Sequence, residues 1–204
     1  VDARYLRMPH VEGGMTVGLF GGSFNPPHEG HALVAETALR RLALDQLWWL
    51  VTPGNPLKNN SNLAPLSERI AMSEKIAPNP RIKVTAFEQA LGQSYTARTL
   101  EIVRARNRDV RFVWVMGADN LKNFHRWQNW RKIVATFPIA VIDRPGSTLA
   151  YLSSPMARAF GYARIDEVDA QTLAFRRPPA WTFIHGPRSG LSSTALRATA
   201  PPRA

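Results

Sequence analysis

Short apolar runs alternate with stretches of helical period along this chain, and that alternation limits the folds open to it. Thr16–Phe20, Gln46–Val51, Ile82–Thr85, Arg111–Met116, Pro138–Ile142 and Trp181–Ile184 each have strand length. Most of them stop at or just before glycine or proline. Between them lie helical patterns. Leu33, Val34, Ala38, Leu39 and Leu42 share one face of a helix over Ala32–Leu42. Ser67 has the chemistry of an N-cap for a helix reaching about Ala77, containing Ile70, Ala71, Glu74 and Ile76. Thr96–Asn107 places Leu100 and Val103 three apart, again on one helical face. Pro53–Pro65 is rich in proline and asparagine and reads as a long loop.

Strand–helix–strand order at this spacing predicts an α/β fold: a Rossmann-like, doubly wound, mostly parallel sheet with helices on both faces. In such sheets ligands bind beyond the carboxyl ends of the strands. The residues after Phe20, Val51, Met116 and Ile184 are therefore where chemistry is expected. Trp48 and Trp49 read as packing and interface residues, and Trp130 as core.

At 204 residues the chain suits one domain, with Val1–Met15 as a polar, flexible leader and 16–204 as the domain itself. Hydrophobic residues make up 45% and charged residues 20%, which excludes a disordered chain. No apolar run nears the ~18 residues that span a bilayer, and the charged first fourteen residues contain no signal-peptide core. The chain has no cysteine, which removes disulfides and thiolate metal sites and fits a cytoplasmic location. A net charge of +11 suits a polyanion partner, either a phosphorylated small molecule or nucleic acid. The arginines are dispersed, apart from Arg104, Arg106 and Arg108 near one helix end. No aromatic residues cluster on a basic face, so a basic RNA-binding module is the lesser alternative.

The first strand runs into Gly21-Gly22-Ser23-Phe24-Asn25-Pro26-Pro27-His28-Glu29-Gly30-His31. The glycines predict a sharp turn that brings N–H groups close to a ligand. His28 and His31 fall on one side of the first helical turn, where partial positive charge and free N–H groups favour an anion. Far along the chain lies Gly190-Leu191-Ser192-Ser193-Thr194-Ala195-Leu196-Arg197. Ser192 and Ser193 at a helix start, with Arg197 one turn on, would form a second phosphate cradle.

The two motifs resemble the HxGH and SSTxxR signatures of a nucleotidyltransferase superfamily. Ser94-Tyr95-Thr96, Gly117-Ala118-Asp119-Asn120 with Phe124 and Trp127, and Arg144-Pro145-Gly146 follow in an order similar to bacterial nicotinate-nucleotide adenylyltransferases. The resemblance covers roughly residues 16 to 197. It implies transfer of the AMP moiety of ATP to nicotinate mononucleotide, giving nicotinate adenine dinucleotide and pyrophosphate, a step of NAD biosynthesis. A pantetheine-phosphate adenylyltransferase shares the phosphate motifs but lacks the SYT and Trp127 group.

By position, the resemblance makes His28 and His31 catalytic. It assigns ATP to Gly21, Gly22, Ser23, Phe24, Asn25, Lys58, Ser192, Ser193 and Arg197. It assigns the acceptor to Tyr95 and Thr96 for the carboxylate, Asp119 for a ribose hydroxyl and Trp127 for the pyridine ring. Mg²⁺ is expected to accompany ATP through phosphate and water, with no protein metal ligand. Asn25 stands where many members have aspartate. ATP and nicotinate mononucleotide are the expected partners, with neither nucleic acid nor membrane; the resemblance admits a homo-oligomer. Only Ala198–Ala204 follow Arg197, where members continue with a further helix.

Overall fold

The computed structural model describes residues 1–54, 60–92, 95–143 and 153–186. The expected alternation is realised as β1 (Thr16–Gly22), α1 (Glu29–Arg41), β2 (Gln46–Val51), α2 (Leu66–Ile76) and β3 (Ile82–Thr85). There follow α3 (Phe87–Leu91), α4 (Thr96–Arg106), β4 (Arg111–Gly117), α5 (Ala118–Leu121) and α6 (Trp130–Thr136). The described chain closes with β5 (Ile139–Ile142), α7 (Pro155–Ala159), a 3-10 helix over Glu167–Phe175, and β6 (Trp181–Ile184).

The six strands form one sheet in the order β3-β2-β1-β4-β5-β6, and every neighbouring pair is parallel. Parallel strands need covered faces, which explains their near-continuous apolar sequences. Strand alternation divides the core. Phe20, Trp49, Val115 and Ile142 face the layer that holds Val34, Ala38, Leu39 and Ile70. Leu19, Trp48, Trp114 and Val141 face the layer that holds Leu100, Val103, Leu121 and Ile133. Trp48 and Trp49 are thus both fully buried, on opposite faces. Trp130 is half-buried against the second layer.

Several boundaries shift from the sequence expectation. β1 continues through both glycines to Gly22, and α1 begins at Glu29, three residues before Ala32. Ser67 lies inside α2; Pro65 is the N-cap residue, and Arg69 N–H bonds its carbonyl. The segment before β1 packs onto the sheet: the Tyr5 carbonyl accepts from Ala86 N–H at 2.8 Å and from the Thr85 hydroxyl at 3.1 Å, and the Met15 carbonyl accepts from Arg111 N–H at 2.9 Å. No described helix is long and apolar enough to cross a membrane.

Candidate active site

Chain connection reverses direction at β1: β2 and β3 lie to one side, β4 to β6 to the other. The crevice beyond the carboxyl end of β1 is the switch point where such sheets bind ligands. The loop leaving β1 is fixed there by packing and by hydrogen bonds.

Gly21 and Gly22 keep ordinary extended backbone, and their lack of a side chain serves close approach instead of a turn. A Cβ on Gly21 would meet the Trp114 ring at 2.7 Å, and one on Gly22 would meet the Phe24 ring at 3.1 Å. The left-handed residue of the loop is Phe24, at φ 45°. Its buried ring packs 4.6 Å from Trp49 and 5.0 Å from His31, and those contacts hold a conformation that costs a non-glycine residue energy.

His28 is the N-cap residue of α1. Its Nδ1 accepts from Gly30 N–H at 3.1 Å, and the His31 Nδ1 accepts from His28 N–H at 3.2 Å. This is a capping box built from two imidazoles. The rings lie 3.8 Å apart, and His28 is buried while His31 is half-buried. Two consequences follow. With Nδ1 acting as acceptor, a neutral ring carries its hydrogen on Nε2, so each histidine brings an Nε2–H donor. The backbone N–H groups expected to meet an anion at this helix start are largely used, because His28 and Gly30 N–H bond the imidazoles and His31 N–H bonds the His28 carbonyl.

A residue that sequence reasoning missed ties this loop to the next. Arg69 of α2 is 1% exposed, and its guanidinium donates to the carbonyls of Ser23 (2.7 Å), Thr52 (2.8 Å), Ala64 (2.9 Å) and Pro53 (3.4 Å). Burial lowers its pKa from the usual guanidinium range. The fork geometry of arginine lets one side chain serve several acceptors at once. Its only sequence signal is its place beside Ile70 and four residues before Ser73, both buried on α2. Asn25 adds a second tie: its amide donates to the Asn62 carbonyl at 3.0 Å and accepts from Ala64 N–H at 3.1 Å. A carboxylate could only accept, so asparagine suits this position where aspartate would lose the first bond.

The expected acceptor residues sit at the same edge of the sheet. Tyr95 is the N-cap residue of α4 with no side-chain cap, 43% exposed, and Thr96 is half-buried beside it. Asp119 is exposed in the first turn of α5, directly after β4; the N-cap residue there is Gly117. Trp127 is half-buried, with edge-to-face contacts to Phe124 at 5.2 Å and Trp114 at 6.1 Å. Trp114 thus touches both Gly21 and Trp127 and is the wall they share. Lys58, Ser192, Ser193 and Arg197 lie outside the described residues, as do Ser94 and Arg144-Pro145-Gly146. Among the described residues no group of three or more His, Asp or Glu side chains is spaced to hold a metal ion.

A central parallel strand thus runs into a loop whose two histidines cap the next helix, and the comparisons with known proteins place this arrangement among the nucleotidyltransferases. Residues 19–199 match the cytidylyltransferase-like family. A probable nicotinate-nucleotide adenylyltransferase of Rhizobium meliloti is 89% identical over 183 residues, covering 90% of this chain and 97% of that protein. The corresponding proteins of Agrobacterium fabrum and Brucella abortus are 73% and 71% identical over 90% of this chain, covering 98% and 94% of their own lengths. The chain belongs to this family of nicotinate-nucleotide adenylyltransferases, within the cytidylyltransferase-like proteins. Among solved structures, the Plasmodium falciparum nicotinic acid mononucleotide adenylyltransferase complexed with NaAD aligns with a TM-score of 0.66 at 18% identity. That alignment covers 90% of this chain and 83% of the other, and it carries the fold alone.

Proposed function

We propose that this protein transfers the AMP moiety of ATP to nicotinate mononucleotide. A phosphate oxygen of the acceptor attacks the α-phosphorus of ATP. The bond from that phosphorus to the bridging oxygen breaks, pyrophosphate leaves, and nicotinate adenine dinucleotide forms. The nucleophile is already an anion, so the protein's work is positioning and charge stabilisation. The observation that carries this reading is the paired imidazole cap, in which both Nδ1 atoms accept from the backbone, so that a neutral ring carries its hydrogen on Nε2, the atom we assign to phosphate. His31 stabilises the transferring α-phosphoryl group, with His28 beside it on the triphosphate.

Gly21–Asn25 lie along the nucleotides, held in shape by Arg69 and Asn25. Lys58, Ser192, Ser193 and Arg197 are the proposed partners of the remaining phosphates. Phosphoryl transfer from ATP calls for a divalent metal to offset the charge of the phosphates. We assign Mg²⁺, which would be held by the phosphates of ATP and by water, with no protein ligand assigned, and would offset the negative charge of the triphosphate. The acceptor's carboxylate meets the N–H groups at the Tyr95–Thr96 start of α4, its ring stacks on Trp127, and Asp119 accepts from a ribose hydroxyl. Residues 16–204 act as one domain with 1–15 as an appendage, in the cytoplasm, where ATP is supplied.

The test is a pyrophosphate-release assay with Mg-ATP, crossed with nicotinate mononucleotide, nicotinamide mononucleotide and phosphopantetheine. Turnover of the nicotinate acceptor is expected. Turnover of phosphopantetheine alone would overturn the acceptor assignment and leave the nucleotidyl transfer.

A further inference from the structure

Four of the six tryptophans are buried: Trp48, Trp49, Trp114 and Trp181. An indole has one hydrogen-bonding group, its Nε1–H, which usually finds an acceptor when buried. Two of the four follow that rule. Trp48 Nε1–H donates to the Gln46 side-chain carbonyl at 3.4 Å, and Trp181 Nε1–H donates to the Phe160 carbonyl at 2.7 Å. Trp49 and Trp114 break it, for neither Nε1–H has an acceptor among the described residues.

The two exceptions are the two that touch the candidate site. Trp49, on β2, lies in the layer of α1, 4.6 Å from the Phe24 ring and 6.2 Å from the His31 ring. Trp114, on β4, lies in the opposite layer, against Gly21 and 6.1 Å from the Trp127 ring. A buried donor without a partner is destabilising, and phenylalanine would bring no such donor. What an indole brings instead is the reach of a second fused ring. The Trp114 atom that would meet a Cβ on Gly21 at 2.7 Å is the outermost carbon of that ring. Trp49 reaches two partners at once, inclined 34° to Phe24 and 69° to His31.

We propose that Trp49 and Trp114 are positioning residues of the transfer reaction, one for each substrate. Trp49 sets the His31 ring toward the triphosphate, directly and through Phe24. Trp114 sets Trp127 toward the pyridine ring of the acceptor. The unsatisfied N–H groups are tolerated for that reach. The two indoles lie on opposite faces of the sheet, so each acts on its own half of the site. The inference rests on the roles proposed above for His31 and Trp127.

Steady-state kinetics of Trp49→Phe, Trp114→Phe and Trp181→Phe, beside His31→Ala and Trp127→Ala, test the proposal, with urea unfolding to measure the stability of each variant. Trp49→Phe is expected to lower kcat about tenfold with the acceptor KM within error. Trp114→Phe is expected to raise the acceptor KM by up to about fivefold with kcat within error. Trp181→Phe strips the Phe160 carbonyl of its donor, so it should lose the most stability of the three and keep wild-type constants. Where a phenylalanine variant fails to fold, methionine at the same position repeats the test. Wild-type constants in Trp49→Phe and Trp114→Phe overturn the proposal. So does one shared pattern of change in both, or losses that follow stability and appear in Trp181→Phe as well. Unchanged kcat in His31→Ala, or unchanged acceptor KM in Trp127→Ala, overturns the role proposed for that residue and the inference for its half.

Discussion

The proposed phosphate half and the proposed acceptor half of this site are built by different means. On the phosphate side, backbone geometry is fixed by directed bonds: two imidazoles cap α1, Arg69 gathers four carbonyls and Asn25 pins the following loop. On the acceptor side, α4 starts without a side-chain cap, and Trp127 is held by ring edges. Phosphate transfer needs donors placed to fractions of an ångström, since stabilisation is gained only where charge develops. A flat pyridine ring tolerates small shifts of its stacking partner. The contrast teaches that loss of one bond should cost rate in the first half and affinity in the second.

The largest effect expected from that contrast is at His31. His31→Ala should lower kcat by about 10²-fold or more with ATP affinity nearly kept, measured by single-turnover kinetics and ATP titration. Near-normal turnover in a folded variant would make His31 a mere cap. Arg69→Met comes next. It strands three close carbonyl acceptors in a buried place, and should cost about 3–5 kcal/mol of stability in urea unfolding. A stability within error of wild type would show the loops hold without it.

On the acceptor side the expected effects are smaller. Trp127→Ala should weaken acceptor binding by about 1 kcal/mol, roughly fivefold, with ATP binding unchanged. The weakening should be equal for the acid and the amide mononucleotide, because stacking does not sense the charge. Wild type should prefer the acid by at least about tenfold in kcat/KM, since the amide loses a charge-assisted bond. Weakened ATP binding in the tryptophan variant would move Trp127 out of the acceptor half. The smallest effect is at Glu101, half-buried on α4 beside the exposed Arg98 and Lys132. Hydrogen bonds from Lys132 and Arg98 hold its carboxyl below the usual glutamate range. Such a depressed acid contributes stability above its ordinary pKa and loses it as pH falls through the lower folded value. Exposure screens the pair, so Glu101→Gln should leave Tm at neutral pH within error, with only a shallower acid limb. A clear drop at neutral pH would contradict that.

Much of this molecule could be read from its sequence, and the parts that could not share a physical cause. Five of the six strands stand out because both faces are buried and their apolar runs are nearly unbroken; β3, with Lys83 exposed, is the weaker signal. The helices α3, α5, α6 and α7 span too few residues for a period to emerge. The paired histidines were legible as chemistry, yet their capping of α1 was not, since a ring nitrogen's partner depends on three-dimensional placement. Arg69 is hidden in the sequence for the same reason: a charged side chain in a helix reads as surface until its neighbours are known. The expected sharp turn at Gly21-Gly22 was displaced to Phe24, because aromatic packing there outweighs backbone preference.

The close contact between Gly21 and Trp114 carries a lesson about inheritance. One methyl group added at position 21 would press on the far edge of the indole, whose own neighbour is Trp127. A change in the loop proposed to serve ATP would then be felt first at the proposed pyridine contact. Gly21→Ala should therefore move acceptor KM before it moves ATP KM. Lineages that change their acceptor would have to renegotiate position 21 and the tryptophan wall together, although the two halves are otherwise built to vary apart.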